Sequence, residues 1–325
     1  GIGNGQGYTS YAPQVVIYNS VVRNNFMAGI DMLDFGTKSN VTQFLIANNI
    51  VYDNGRWQSG SSYDADIYVD GASEGLIYGN IVYGSGTVTG ATNSREGIKF
   101  GSEHASTKPA ENIDIVNNFV YKNHWIGVGS DNAGSSTGNI KTIKIINNTI
   151  MAYDAGTFEM VMSYTDNDTT ADNWVQRNNV FYMDNSAPTN AYISSTDTAF
   201  LDSDYNQFYR RGGGTTIYKV DTTNCTLANW QASTGTCGTS EDANSAYGDP
   251  LLVSDTEASP NARLQRTAEG YGANSPAIDT GLETPYTPQT FVDTYFSAIL
   301  PDLGAVLGTT RVDNAIDDVG ANMDI

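Results

Sequence analysis

The chain has 325 residues, 39% hydrophobic and only 16% charged, so Asn, Ser, Thr, Gly and Tyr must cover its surface in place of the Glu and Lys of exposed helix faces. Sixteen basic against 36 acidic residues leave a formal net charge of −20, a field that repels nucleic acid and anionic membrane and argues against both as partners. Thirty-three Gly, twenty Tyr and many β-branched residues point to strands and tight turns, and no run approaches the ~20 apolar residues of a membrane span.

In chain order, the first signal is a recurring Asn turn between short apolar strands: Asn24-Asn25, Asn48-Asn49, Gly79-Asn80, Asn117-Asn118, Asn147-Asn148 and Asn178-Asn179. The second residue of each falls at 25, 49, 80, 118, 148 and 179, at intervals of 24, 31, 38, 30 and 31 residues. A unit this small cannot bury its own apolar face, so the units must stack. Asn tolerates the left-handed backbone of a sharp turn. Stacked coil on coil, its amide can hydrogen-bond to the copies above and below. The pattern predicts an all-β fold, a right-handed parallel β-helix with three strands per coil, and it places all six Asn in one turn column. Residues 1–187 are assigned to these coils. The longer intervals leave as loops at Arg56–Ala65, Gly84–Arg95, Ser102–Glu111, Ser130–Asn139 and Tyr164–Asn173, on the side where solenoids build binding surfaces.

Within the coils, Ile98-Lys99-Phe100-Gly101-Ser102-Glu103 and Ile126-Gly127-Val128-Gly129-Ser130-Asp131 are near-copies 28 residues apart. Strands alternate their faces. Aligning the inward pairs Ile30/Met32, Ile67/Val69, Ile98/Phe100 and Ile126/Val128 gives an outward column of Asp31, Tyr68, Lys99 and Gly127. A second column holds Gly29, Asp66, Gly97 and Trp125. Asp64, Asp70 and Arg95 flank them, and Glu103, His104 and Asp131 stand in loops at the edge; the other histidine, His124, is also near.

Residues 188–325 are assigned to an irregular continuation that covers the C-terminal end of the coils. It contains one short-helix candidate, Thr226–Ser233, with Thr226 as N-cap. Cys225 and Cys237 either close a small disulfide loop, worth roughly 2–3 kcal/mol, or remain two buried thiols; the disulfide is the expected state. So few Cys and His build no transition-metal site. Ca²⁺ is a possible ligand through Asp202/Ser203/Asp204 or Asp166/Asn167/Asp168, although turn formation explains both runs. The opening Gly-Ile-Gly-Asn-Gly has no signal peptide and reads as a mature or truncated start.

Four C-terminal phrases, Asp202-Ser203-Asp204-Tyr205-Asn206, Thr226-Leu227-Ala228-Asn229-Trp230-Gln231, Gly248-Asp249-Pro250-Leu251 and Ser275-Pro276-Ala277-Ile278-Asp279, together with Glu96-Gly97-Ile98 in the coils, resemble a widespread group of secreted right-handed parallel β-helix repeat proteins. That group holds polysaccharide lyases, glycoside hydrolases and epimerases beside non-catalytic surface proteins. The resemblance implies the architecture, an extracellular, secreted or cell-surface location and a glycan partner.

The outward face carries an inventory suited to a sugar chain. Trp125 and Tyr68 offer flat apolar surfaces, and paired carboxylates could serve as acid and base in glycoside hydrolysis. Lys99, Tyr68 or His104 could abstract a proton in β-elimination while Arg95 neutralises a uronate carboxylate. The assigned roles are catalytic for Lys99, Asp66, Arg95, His104 and Tyr68, and substrate-binding for Trp125, Asp31, Asp64, Asp70, Glu103 and Asp131. The acidic balance turns the expected substrate toward neutral or weakly acidic glycans. The competing reading is a non-catalytic surface or filament protein, a rigid rod whose end coils stack between subunits; scarce His and Lys and the absence of a compact catalytic motif favour it. An ordinary solvated surface would account for the same charges.

Overall fold

The computed structural model describes residues 2–3, 14–33, 43–55, 64–84, 95–101, 110–123, 126–130, 140–153, 160–164, 174–184, 191–193, 201–237, 241–256, 258–277 and 288–296. Short runs of Ile, Val, Phe and Tyr, broken by residues that accept a left-handed backbone, fold into three parallel sheets. Sheet B begins with Val15–Tyr18 and Phe44–Ala47, sheet C with Val21–Arg23 and Ile50–Tyr52, and sheet A with Ile30–Leu33 and Asp64–Asp70. The chain visits them in the order B, C, A, and the described strands make seven such coils, ending at Thr216–Val220. The fold is a parallel β-helix, as the Asn rhythm requires.

The turn between sheets B and C explains that rhythm. Its first residue is left-handed in every coil: Asn19, Asn48, Gly79, Asn117, Asn147, Asn178 and Tyr205 all have φ between 49° and 63°. Its second residue points inside and carries the ladder. Asn80 Oδ1 accepts from the backbone N and Nδ2 of Asn49 at 2.9 and 3.0 Å. Asn118 accepts likewise from Asn80, Asn148 from Asn118, Asn179 from Asn148 and Asn206 from Asn179. Each Nδ2 also reaches a strand carbonyl, such as Asn80 to Ile46 at 2.9 Å. Asn49, Asn80, Asn118, Asn148 and Asn179 share one column, as expected. Asn25 does not belong to it: Ser20 opens the column, donating its N–H to Asn49 Oδ1 at 2.9 Å, and Asn206 extends it. Asn25 stands at the next corner, between sheets C and A. An Asn-Asn pair makes the same left-handed turn at either corner, since Asn24 has φ 57°, so the dipeptide alone does not say which.

Inside the three sheets runs one continuous apolar core, with Ile17, Ile46, Ile77, Ile115 and Ile145 among its stacked members. The C-terminal region does two different things. The antiparallel strand Thr223–Thr226 and helix α1 (Leu227–Gln231) close the end of the solenoid, inserting the fully buried Trp230 into the core. Thr226 caps α1, its hydroxyl accepting from Asn229 N, and the Cys225–Cys237 disulfide forms. The chain beyond then runs back along the sides, where only an end cover was expected. The hairpin Leu252–Ser254/Asn261–Leu264 packs Leu252, Ala262 and Leu264 on the outer face of sheet C, against Phe119, Met151, Val180 and Tyr182. Helix α2 (Pro288–Tyr295) and Phe296 lie on the outer face of sheet B, where Phe291, Val292 and Phe296 meet Leu45, Leu76, Tyr78 and Val116. Gln14 donates to the Tyr295 carbonyl, and the Tyr295 hydroxyl bonds Glu74, tying the tail to the early coils. The outer faces of sheets B and C carry apolar residues that need a cover, and the tail supplies it.

Candidate functional site

Sheet A brings the candidate residues together on consecutive strands. Asp31 pairs with Tyr68 and Leu33 with Asp70. Asp64 pairs with Arg95, Ala65 with Glu96, Tyr68 with Lys99 and Asp70 with Gly101. The column Asp31–Tyr68–Lys99 therefore exists as expected. Its fourth member changes: Ile126 lies opposite Glu96 and Val128 opposite Ile98, so Lys99 faces Gly129 and Gly127, not Trp125, follows Gly97. The likeness of the two hexapeptides conceals this two-residue shift. It sets the small Ser130 opposite Phe100, whose ring meets the edge of Trp174 at 5.6 Å. Glu103, His104, Trp125 and Asp131, with His124, lie outside the described residues, and Asp64 and Arg95 are placed by their backbones alone.

Strict alternation would point Asp66 outward, and here the structure corrects it. Asn54, fully buried, donates both its backbone N and its Nδ2 to Asp66 Oδ1, at 3.2 and 2.7 Å. Asn54 Oδ1 in turn accepts from the N and Nδ2 of Asn25, at 3.1 and 2.8 Å. A second amide ladder thus runs Asn25–Asn54 and ends on the Asp66 carboxyl. A Cβ added to Gly97, the residue beside Asp66 in the next coil, would come within 2.7 Å of the core side chain Val120 and 2.5 Å of Asn123 Nδ2. Residues 66 and 67 both face the interior, and alternation restarts on the other side of the break. Ala28, Ala65 and Tyr68 accordingly form a small apolar group separate from the main core. Glu96, in register with Ala65, joins them on the outer face.

The outer face of sheet A is therefore built of Asp31, Tyr68, Asp70, Glu96 and Lys99. It is not solvated: Tyr68 is 2% exposed, Asp70 3%, and Glu96 and Lys99 0%. The Lys99 ammonium stands 5.1 Å from the centre of the Tyr68 ring, a cation–π contact that gains strength when water is excluded. Asp31 is half-buried, and its carboxyl is pushed up to about 7, chiefly by desolvation and secondarily by the neighbouring charge of Asp70. Burial also raises the Asp66 carboxyl well above the ordinary range, against the opposing pull of its Asn54 hydrogen bonds.

The expected Ca²⁺ candidate at Asp202/Ser203/Asp204 is occupied by protein donors. Arg177 holds both Asp202 oxygens at 2.7 Å, and Asn244 donates its N and Nδ2 to the two Asp204 oxygens. Asp166–Asp168 lie outside the described residues. Among the described residues no group of three or more His, Cys, Asp or Glu could hold a metal ion, and no helix is long and apolar enough to cross a membrane. At the C-terminal end the antiparallel strand Thr223–Thr226 covers the last parallel edge of sheet A, so stacking of subunits through that edge would have to displace it.

No family model and no curated protein matches the chain. Among solved structures, the periplasmic alginate epimerase AlgG superposes with a TM-score of 0.37 at 14% identity, over 65% of this chain and 43% of that one. An aspartate-to-alanine mutant of the same enzyme gives 0.35 at 14% identity, over 64% and 44%. The chain spans less than half the length of these structures.

Proposed function

We propose that the outer face of sheet A is a glycan-cleaving site working by general acid–base catalysis, in a protein exported from the cytoplasm. The observation that carries this reading is the burial of Lys99, Glu96 and Asp70 on outward-facing positions. Desolvating a charged side chain costs several kcal/mol, and a solenoid rod gains no stability from doing so where water is available. Desolvated charges are a mark of functional sites, and beside these the Asp31 carboxyl is pushed up to about 7. In this reading Asp31, protonated near neutrality, donates a proton to the departing glycosidic oxygen. Asp70, two positions along the next strand and on the same face, acts as base or nucleophile. Lys99, held over Tyr68, offsets the carboxylate charge and steadies the transition state. Among the described side chains of this face one ammonium stands against three carboxyl groups, which favours an uncharged glycan over a polyuronate. The Cys225–Cys237 disulfide supports an oxidising, extracytoplasmic compartment.

The test is a polysaccharide panel read for both new reducing ends and unsaturated uronate ends. Hydrolysis gives the first without the second, and Asp31→Asn should lower the rate by about 10²-fold or more without lowering the melting temperature. Unsaturated ends would turn the reading to a lyase. No product from any glycan, or full activity in Asp31→Asn, would overturn it and leave the rod-like structural reading.

A further inference from the structure

The outer face of sheet C is covered over only part of its length. One outward column runs Arg23–Tyr52–Tyr83–Tyr121 in register and continues through Met151 to Tyr182. The tail hairpin seals the later part, where Met151 and Tyr182 are buried. Over the first three coils no described element lies on it, and in the fourth the hairpin covers Phe119 while Tyr121 stands at its edge. There Val21 is 61% exposed and Ile50 39%, and Tyr52, Tyr83 and Tyr121 are half-buried. The three tyrosine rings stack face to face, 4.8 Å between centres and within 8° of parallel. Arg23 ends the stack, donating to the Tyr52 hydroxyl at 2.7 Å.

Shape and charge restrict what can lie on this strip. Strands of three residues over four coils make a surface about 10 Å wide and about 15 Å long. That is far below the ~800 Å² per partner of a stable protein interface. The strip is a sheet face with its backbone hydrogen bonds already paired along the stack, so an extended peptide could not add as a strand. A net charge of −20 disfavours a polyanion. The rings use their faces on one another and turn edges and hydroxyls outward, one per coil, beside the apolar column of Ile50 and Ile81. Both tyrosine hydroxyls, Tyr83 and Tyr121, are protonated at neutral pH, as ordinary tyrosines are, and burial raises them further, Tyr121 to about 12. A narrow linear ligand with apolar C–H patches and regularly repeated hydroxyls matches these features. We propose that this strip is a second glycan-contact surface, which holds a single uncharged polysaccharide chain along the solenoid axis. It is separate from the sheet A site and does not rest on that site being catalytic.

The experiment is affinity electrophoresis of the intact chain in native gels containing galactomannan, xylan or mixed-linkage β-glucan, with alginate as a polyanionic control. Two variants probe the strip. The triple change Tyr52→Phe, Tyr83→Phe and Tyr121→Phe keeps the ring stack and removes the hydroxyls. Ile50→Ser with Ile81→Ser removes the apolar column; a melting curve confirms that each is folded. The proposal expects retardation by at least one neutral glycan, weakened fivefold or more in the triple variant. It is overturned if no neutral glycan retards the protein, if the triple variant binds as tightly as the parent, or if alginate binds most tightly. It is also overturned if light scattering shows a dimer that the strip variants dissociate, since a second copy would then be the occupant.

Discussion

Replacing Asp66 separates a ladder-ending carboxyl from a catalytic one. In Asp66→Ala the two Asn54 donors that meet Oδ1 lose their acceptor. Asn54 Nδ2 keeps a carbonyl, Val22 O at 3.2 Å, but its backbone N–H is left buried without that partner. A buried donor so orphaned costs ~1–3 kcal/mol, and urea unfolding should show a loss of that order. Asp66→Asn restores the acceptor. Its outcome depends on pH because burial holds the Asp66 pKa well above that of the unfolded chain. The protonated carboxyl stabilises the fold fully below the unfolded pKa, and that contribution fades as pH rises through the folded one. Asn carries no such dependence. The Asn variant should match the parent near pH 4 and become the more stable of the two as pH rises toward 8, while Ala stays destabilised throughout. The reasoning is refuted if Asn proves as costly as Ala, or if parent and Asn variant respond identically to pH. Loss of activity in both variants at unchanged stability would instead return Asp66 to the catalytic set.

Asn118→Ala removes the acceptor for Asn80 N and Nδ2 in the middle of the long ladder; a loss of ~1–3 kcal/mol in urea unfolding is expected, and an unchanged midpoint would show that water replaces the ladder. Gly97→Ala forces a Cβ to within 2.5 Å of Asn123 Nδ2 and 2.7 Å of the Gly127 carbonyl, so overpacking should cost ~1–3 kcal/mol, read by thermal melting. The parent should melt at a higher temperature at pH 5 than at pH 8, because the raised carboxyls of Asp31 (about 7), Asp66 and Asp242 each favour the folded state in acid and lose that advantage as pH rises through their folded values. A melting temperature that instead falls steadily from pH 8 to pH 5 would contradict the assigned burial.

Much of this architecture is local, and so legible in the sequence. A turn that needs one left-handed residue followed by one inward amide writes itself as Asn-Asn, and its spacing counts the coils. Thr226 before Leu227–Gln231 announces its helix in the same way, since the cap bond spans three residues. The pairing of Asp31, Tyr68 and Lys99 also followed from sequence, because their flanking Ile, Val and Phe set the register. Tertiary structure decided the rest. Asp66 turns inward because Asn54, from the preceding corner, offers it two donors, and a break in alternation between 66 and 67 has no signature in either residue. That break puts Glu96 on the outer face. The two-residue shift at Ile126 brings Ser130 opposite Phe100, whose ring packs on Trp174, and these partners lie in other coils. The tail's apolar residues declare that something must be covered but not which face, because burial depends on the surfaces left open once the coils have stacked. Position along a strand is a short-range property; which side of a sheet becomes dry is settled only when distant segments arrive.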